Sequence, residues 1–183
     1  MSVLHLLRVG EVEPHLLDGL RSELVAEFRV PCEVLGAVLD PSFALNPERR
    51  QHHSTEMLAK MGAHLTPDTW RLLGVTSVDL YIPILTFVFG EAQVGGPCAV
   101  ASMHRLRQEF YGLPPNISLL RDRLVKEAVH EVGHTLGLTH CEDYRCAMAS
   151  SHGVEWIDLK EPTLCSACRP RCPRPGAGNF RFP

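Results

Sequence analysis

The run His130-Glu131-Val132-Gly133-His134-Thr135-Leu136-Gly137-Leu138-Thr139-His140 decides how the rest of the chain is read. His130 and His134 are one helical turn apart on a common face, so both imidazoles can reach one ion. Neutral imidazole is a good zinc ligand, and three protein ligands leave a position open for water. Glu131, beside the first histidine, is the candidate general base, able to take a proton from water and later hand it to a leaving amine. On a continuing helix His140 would lie about 9 Å beyond His134, at a rise of about 1.5 Å per residue. The chain must therefore turn back, and Gly137 is the residue that lets it, because glycine accepts the left-handed conformation that ends many helices. The added Gly and His make the pattern far more specific than a bare H-E-x-x-H. The catalytic-type ligands expected are His130, His134 and His140.

Beyond His140 the chain turns to cysteine. Cys141 follows directly, then Cys146, then the C-x-x-C pair Cys165 and Cys168. Four thiolates make a closed tetrahedral site, the usual arrangement of structural zinc. A loop-rich chain end has little core of its own, and a bound ion can add on the order of 10 kcal/mol to its folding. The expected ligands are Cys141, Cys146, Cys165 and Cys168. Cys172 is an alternative fourth ligand, and two disulfides or buried free thiols are the competing readings of the cluster. Cys32 and Cys98 stand apart from it. Two zinc ions per chain are expected, one catalytic and one structural. A single peptide bond, between His140 and Cys141, joins the two sites, so the cysteine site would brace the turn that presents the third histidine.

The bulk properties fit one globular domain. The chain has 183 residues, 45% hydrophobic and 21% charged, enough to bury a real core. A net charge of −3 gives no electrostatic reason to expect a nucleic acid or a membrane surface as partner. Basic residues gather only at Arg169, Arg171, Arg174 and Arg181, which read as a solvated terminus. No apolar run approaches the length of a bilayer span. The first ten residues alternate like a strand and lack the pattern of a signal peptide. The expectation is a cytoplasmic monomer without nucleic-acid or membrane partners.

The elements are read from periodicity. Residues 3–12 read as a strand. A helix opens at Pro14 and ends before Pro31, with Leu16, Leu17, Leu20, Leu24, Val25 and Phe28 at helical spacing. Residues 32–39 suit a buried strand. A helix spans roughly 48–61, and Thr66-Pro67-Asp68 looks like the cap of a short helix towards Leu73. Residues 78–89 form the strongest strand signal, broken by Pro83. A shorter strand covers 98–103, and Ser118 can cap a long helix running through Leu136. This order predicts a mixed α/β sheet with helices packed on it.

At this point the sequence resembles the archaemetzincins, zinc metallopeptidases of the metzincin type. The resemblance rests on His130 through Cys141, on Cys146-Ala147-Met148 and on Cys165 to Cys168. Upstream it takes in Asp79-Leu80-Tyr81-Ile82-Pro83, Phe87-Val88-Phe89-Gly90-Glu91-Ala92 and His104-Arg105-Leu106-Arg107. Downstream it takes in Asp158 and Lys160. It implies a twisted mixed β-sheet over an active-site helix, with a small zinc-stapled C-terminal part. It implies that Met148 is the methionine of a tight turn beneath the ligands. It also implies an antiparallel edge strand above the zinc that pairs with extended peptide, for which 98–103 is the candidate. After the methionine the chain departs from the family, with Ala149-Ser150-Ser151-His152 where Phe-Ser-Asn-Ser is usual. His152 is read first as a solvated loop residue, with a place near the cleft as the alternative.

The implied organisation is residues 1–140 as a metzincin-like N-terminal subdomain carrying the active-site helix. Residues 141–172 form a C-terminal subdomain with the four-cysteine zinc site, and 173–183 a flexible tail. The implied activity is hydrolysis of peptide bonds in a peptide or protein substrate through a zinc-activated water, with Glu131 as general base. The alternative is a peptide-binding or regulatory zinc protein with little turnover.

Overall fold

The first strand, β1 (Val3–Val9), lies inside the main sheet and is apolar on both faces. Leu4 and Leu6 enter one core, Leu7 and Val9 the other. A strand covered on both sides loses the polar alternation of a half-exposed one. The structure, a computed structural model, describes residues 2–173. The part of the expected tail beyond residue 173 lies outside them.

Helix α1 (Pro14–Phe28) follows β1 and returns to β2 (Cys32–Leu39), which pairs parallel with β1. Its buried residues Leu16, Leu17, Leu20 and Leu24 keep the predicted helical spacing. After the short strands β3 (Leu45–Asn46) and β4 (Gln51–His53) comes α2 (Ser54–Met61). The chain then crosses to β5 (Thr69–Thr76), parallel to the other side of β1. Next come β6 (Leu80–Tyr81), β7 (Gly90–Ala92) and β8 (Cys98–Ser102). The main sheet has the order β2-β1-β5-β8-β7, with β7 the antiparallel member at one edge. A second, small sheet joins β3, β4 and β6. Helix α1 and the long α3 (Ile117–Thr135) cover one face of the main sheet, and α2 covers the other. The short α4 (Val154–Leu159) lies beside α3, held by a two-pronged ion pair from Arg123 to Asp158 at 2.7 Å on both prongs.

Five sequence expectations change. The short helix after Thr66 is instead the central strand β5. Thr66, Asp68 and Thr69 bond to one another in a turn that feeds a strand and not a helix. Residues 78–89 are mostly loop, with only Leu80 and Tyr81 in a strand, because Pro83 interrupts the pairing. The helix expected from residue 48 begins at Ser54, since Gln51–His53 pairs as β4. The edge strand is Gly90–Ala92, and Cys98–Ser102 lies one place inward. The long helix starts close to expectation, but Asn116 and not Ser118 is its cap: its side chain accepts the Leu119 N–H at 3.0 Å.

The C-terminal segment shares the core of the first part. Cys146, Ala147, Met148, Ile157 and Leu164 pack with residues of α1 and α3. Glu27, near the end of α1, pins it from outside: its carboxylate accepts the Leu164 N–H at 3.0 Å and pairs with Arg169 at 2.8 Å. Among the described residues, no helix is long and apolar enough to cross a membrane.

Candidate metal centre and cleft

Helix α3 delivers His130 and His134 to the cleft, and the end of that helix delivers His140. The Gly137 N–H reaches the His134 carbonyl at 2.9 Å, and the Leu138 N–H reaches the Gly133 carbonyl at 3.1 Å. Together with φ +85° at Gly137, these two bonds make the paired helix stop that glycine permits. Arg71 on β5 donates Nε to the Thr135 carbonyl at 3.2 Å, so a cation also meets the exposed carbonyls of the last turn. The chain reverses, and the donor nitrogens of His130, His134 and His140 come within 4.8 Å of one another.

The tautomers follow from the hydrogen bonds. His130 Nδ1 faces the Ala147 carbonyl and His134 Nδ1 faces the Leu138 carbonyl, both at 2.8 Å. A carbonyl only accepts, so each ring carries its hydrogen on Nδ1. Burial holds His130 well below the usual imidazole range, and lowers His134 and His140 as well, so the rings are neutral. The Nε2 atoms of His130 and His134 then face each other as bare lone pairs 3.0 Å apart. Two lone pairs so placed repel unless they share a cation. The site fits a metal ion on its own chemistry, and the Nδ1–carbonyl bonds are the kind that orient ligating histidines.

Glu131 lies against the edge strand, next to Gly90. Burial pushes its carboxyl well above the ordinary range, Glu127 and Glu91 add to the rise, and Lys160 opposes it. The cleft holds about 600 Å³ and is walled by residues 85–92, by α3 and by Ser150, Ser151 and His152. His152 therefore belongs to the cleft wall, the less favoured of the two positions the sequence left open for it.

Met148 is fully buried beneath the helix. A Cβ on Gly133 would lie 2.3 Å from its Sδ, so the glycine inside the motif is a close-approach position. The Cys141 N–H bonds the Met148 carbonyl at 3.0 Å, and Cys141 bridges to Ala149. The chain after His140 is thus paired to the methionine turn.

The sulfurs of Cys141, Cys146, Cys165 and Cys168 also lie within 4.8 Å of one another, and all are free thiols. Cys146 Sγ accepts the N–H groups of Met148 at 3.4 Å and Cys165 at 3.3 Å. Backbone N–H groups of Cys168 and Ala167 bring the Cys165 thiol down to about 7, into thiolate territory near neutral pH. Cys172 packs nearby but is not in this group. Burial raises its thiol to about 11.

Three polar residues of the cleft carry no motif of their own. Glu91 on β7 accepts hydrogen bonds from Ser54 and Thr55 and ties the edge strand to the start of α2. Glu127 and Lys160 are both 3% exposed and line the cleft behind the histidines. Glu127 precedes Glu131 by one helical turn, a spacing that could have marked it. Lys160 had only the family resemblance to mark it.

The chain is similar to known proteins over most of its length. A family model described as peptidase family M54 matches residues 46–174. The archaemetzincin of Methanocaldococcus jannaschii is 44% identical over 160 residues, 87% of each chain. That of Pyrococcus abyssi is 34% identical over 175 residues, 92% of this chain and 93% of its own. The crystal structure of the Archaeoglobus fulgidus archaemetzincin complexed with malonate superimposes with a TM-score of 0.79 at 36% identity, covering 93% of this chain and 99% of that one. A zinc-dependent peptidase of Methanocorpusculum labreanum gives a TM-score of 0.85 at 31% identity, covering 93% and 100%.

Proposed function

The chain belongs to peptidase family M54 and is a zinc metallopeptidase, and from that premise we propose that His130, His134 and His140 hold its catalytic zinc, with Glu131 as general base. The observation that carries this reading is the convergence of three imidazoles, two of them with their Nδ1 hydrogens already spent on backbone carbonyls, in one cleft with the Glu131 carboxyl group. Zinc at such a site supplies Lewis acidity, which polarises a carbonyl oxygen and makes water more acidic. Glu131 takes a proton from the attacking water and returns it to the leaving nitrogen. A cation held by the three histidines would favour the ionised form of this buried carboxyl, the form that accepts the proton. The free edge of β7 offers backbone N–H and C=O groups to an extended peptide laid along the cleft.

The same reading assigns Cys141, Cys146, Cys165 and Cys168 to a second, structural zinc, giving two ions per chain, with Met148 as the methionine of a metzincin-type turn. Residues 1–140 then carry the cleft helix and its edge strand, and 141–172 form the stapled part that closes the other wall. Free thiols in a closed cluster suit a reducing compartment such as the cytoplasm. A second reading, a peptide-binding protein with little turnover, has one observation in its favour: Glu131 is 5% exposed and covered by the edge strand.

Glu131→Ala separates the two. The variant should keep both metals, because the carboxylate is not a ligand. Cleavage of a peptide hydrolysed by the wild type should fall by roughly 10²–10⁴. Zinc content is measured on the same samples. Wild-type rates in a fully metallated variant would remove Glu131 from the chemistry. A broad peptide library left intact by metal-replete wild type would favour the binding reading.

A further inference from the structure

Lys160 is a buried lysine with no place in the proposed chemistry. It is 3% exposed, and its Nζ donates to the Ala147 carbonyl at 3.3 Å. That same carbonyl accepts the Nδ1–H of His130 at 2.8 Å. The Ala147 N–H bonds the Thr163 carbonyl at 3.0 Å. Ala147, whose carbonyl aims His130, is thus held at both its N–H and its C=O, and Lys160 supplies one of these bonds. Its ammonium also lies 3.8 Å from the Glu127 carboxylate, which α3 carries one turn before the ligand pair. One side chain joins the methionine turn, the catalytic helix and the segment after α4.

Stability does not account for this arrangement. Burying an ammonium and a carboxylate costs more than a loose pair returns, and apolar residues of similar volume commonly do as well or better. At 3.8 Å the pair is loose, and Glu127 Oε1 has no hydrogen-bond partner among the described residues. What the lysine does make is the bond to the carbonyl that orients His130.

We propose that Lys160 is a positioning residue of the three-histidine site, holding the Ala147 carbonyl at the angle that aims His130, with Glu127 as the counter-charge that keeps the ammonium there. This rests on the reading of His130, His134 and His140 as metal ligands. Partners of this kind typically change metal affinity by about 10–100-fold when removed.

The test uses the double variant Glu127→Leu/Lys160→Met, in which no buried charge is left unpaired. Zn2+ affinity of the three-histidine site is measured by competition with a chromophoric chelator. The visible spectrum of the Co2+-loaded site is recorded at saturating metal, and the melting temperature by calorimetry. A melting temperature near wild type is expected, with affinity about 10–100-fold weaker and a shifted cobalt spectrum. Lys160→Arg, which keeps a donor for the carbonyl, should hold affinity closer to wild type than Lys160→Met does. Wild-type affinity and spectrum in a folded double variant would overturn the proposal. If the double variant does not fold, the two single variants decide, and equal affinity in them overturns it. His130→Ala is the control for the premise: unchanged metal content there would sink the assignment of the ligands and not merely the role of Lys160.

Discussion

The two donor clusters stand side by side, joined by the peptide bond between His140 and Cys141, and they are built oppositely. The histidine cluster lines a cleft of about 600 Å³, and its members run from the buried His130 to the exposed His140. Three donors leave one coordination position unfilled, as chemistry on a substrate requires. The cysteine cluster offers four sulfurs, two of them buried, in turns whose N–H groups point at the sulfur atoms. Nothing is left for a substrate, and what a metal gains there goes into folding. The difference teaches that neighbours in sequence can be built for separate ends, an open cluster in a cleft and a closed one directly after it along the chain.

The largest expected effect comes from breaking the closed site. Cys141→Ser removes one ligand of the closed site and loosens the strand paired with the methionine turn. The melting temperature should fall by about 10 °C or more, and metal should also be lost from His140's site. Calorimetry and elemental analysis on reduced protein would show both. Full occupancy of the histidine site together with wild-type stability would mean that the closed site braces nothing.

The contrast in openness is tested by chelation. EDTA at neutral pH should strip one zinc in a fast phase and the second at least about tenfold more slowly, because the four-thiolate site has no free position for an entering ligand. Prior occupation of the slow phase by the histidine site, seen as activity outlasting the first equivalent, would invert the comparison.

A smaller effect is expected from Gly133→Ala. The new methyl would meet Met148 Sδ at 2.3 Å, and overpacking of this kind costs about 1–3 kcal/mol. Because Met148 is flexible, the protein should fold with a melting temperature lowered by about 2–12 °C. An unchanged melting temperature would show that the methionine turn yields freely and does not shape the ligand bed.

The smallest effect lies away from both clusters. Burial would raise the Asp79 carboxyl, but hydrogen bonds and charge from Arg105 outweigh it and hold the group below its ordinary value. Its contribution to stability is present above the unfolded carboxylate range and is lost as pH falls through the depressed folded value. Asp79→Asn should therefore lower stability at neutral pH and narrow the gap to wild type in acid. An equal gap at both pH values would remove Asp79 from the acid sensitivity of the fold.

Some elements were written legibly in the sequence and others were not, for physical reasons that can be named. Helix α1 shows its face because one side meets the core and the other meets water. Strand β5 has no such contrast: Leu72 faces one core and Leu73 the other, both fully buried. A centrally placed parallel strand carries no alternation, so the Thr66-Pro67-Asp68 turn was the louder signal and pointed to a helix. Residues 78–89 misled in the opposite sense. Residues 85–89 wall the cleft and Ile84 beside them is 86% exposed, so much of the hydrophobicity there marks a surface over the site and not a sheet interior.

By itself the sequence determined the donor atoms. His130, His134 and His140 around a glycine turn, and four cysteines beyond it, are covalent facts whose spacing is set by the rise of a helix and the conformational range of Gly137. The tertiary structure decided what those spacings leave open. It selected Cys168 over Cys172 for the group of four, made Gly90–Ala92 the edge strand, and set Lys160 and Glu127 behind the ligands from parts of the chain more than thirty residues apart. Local geometry can be counted along a chain. Which buried charge meets which carbonyl depends on how helices and turns pack, and that is resolved only when the core closes.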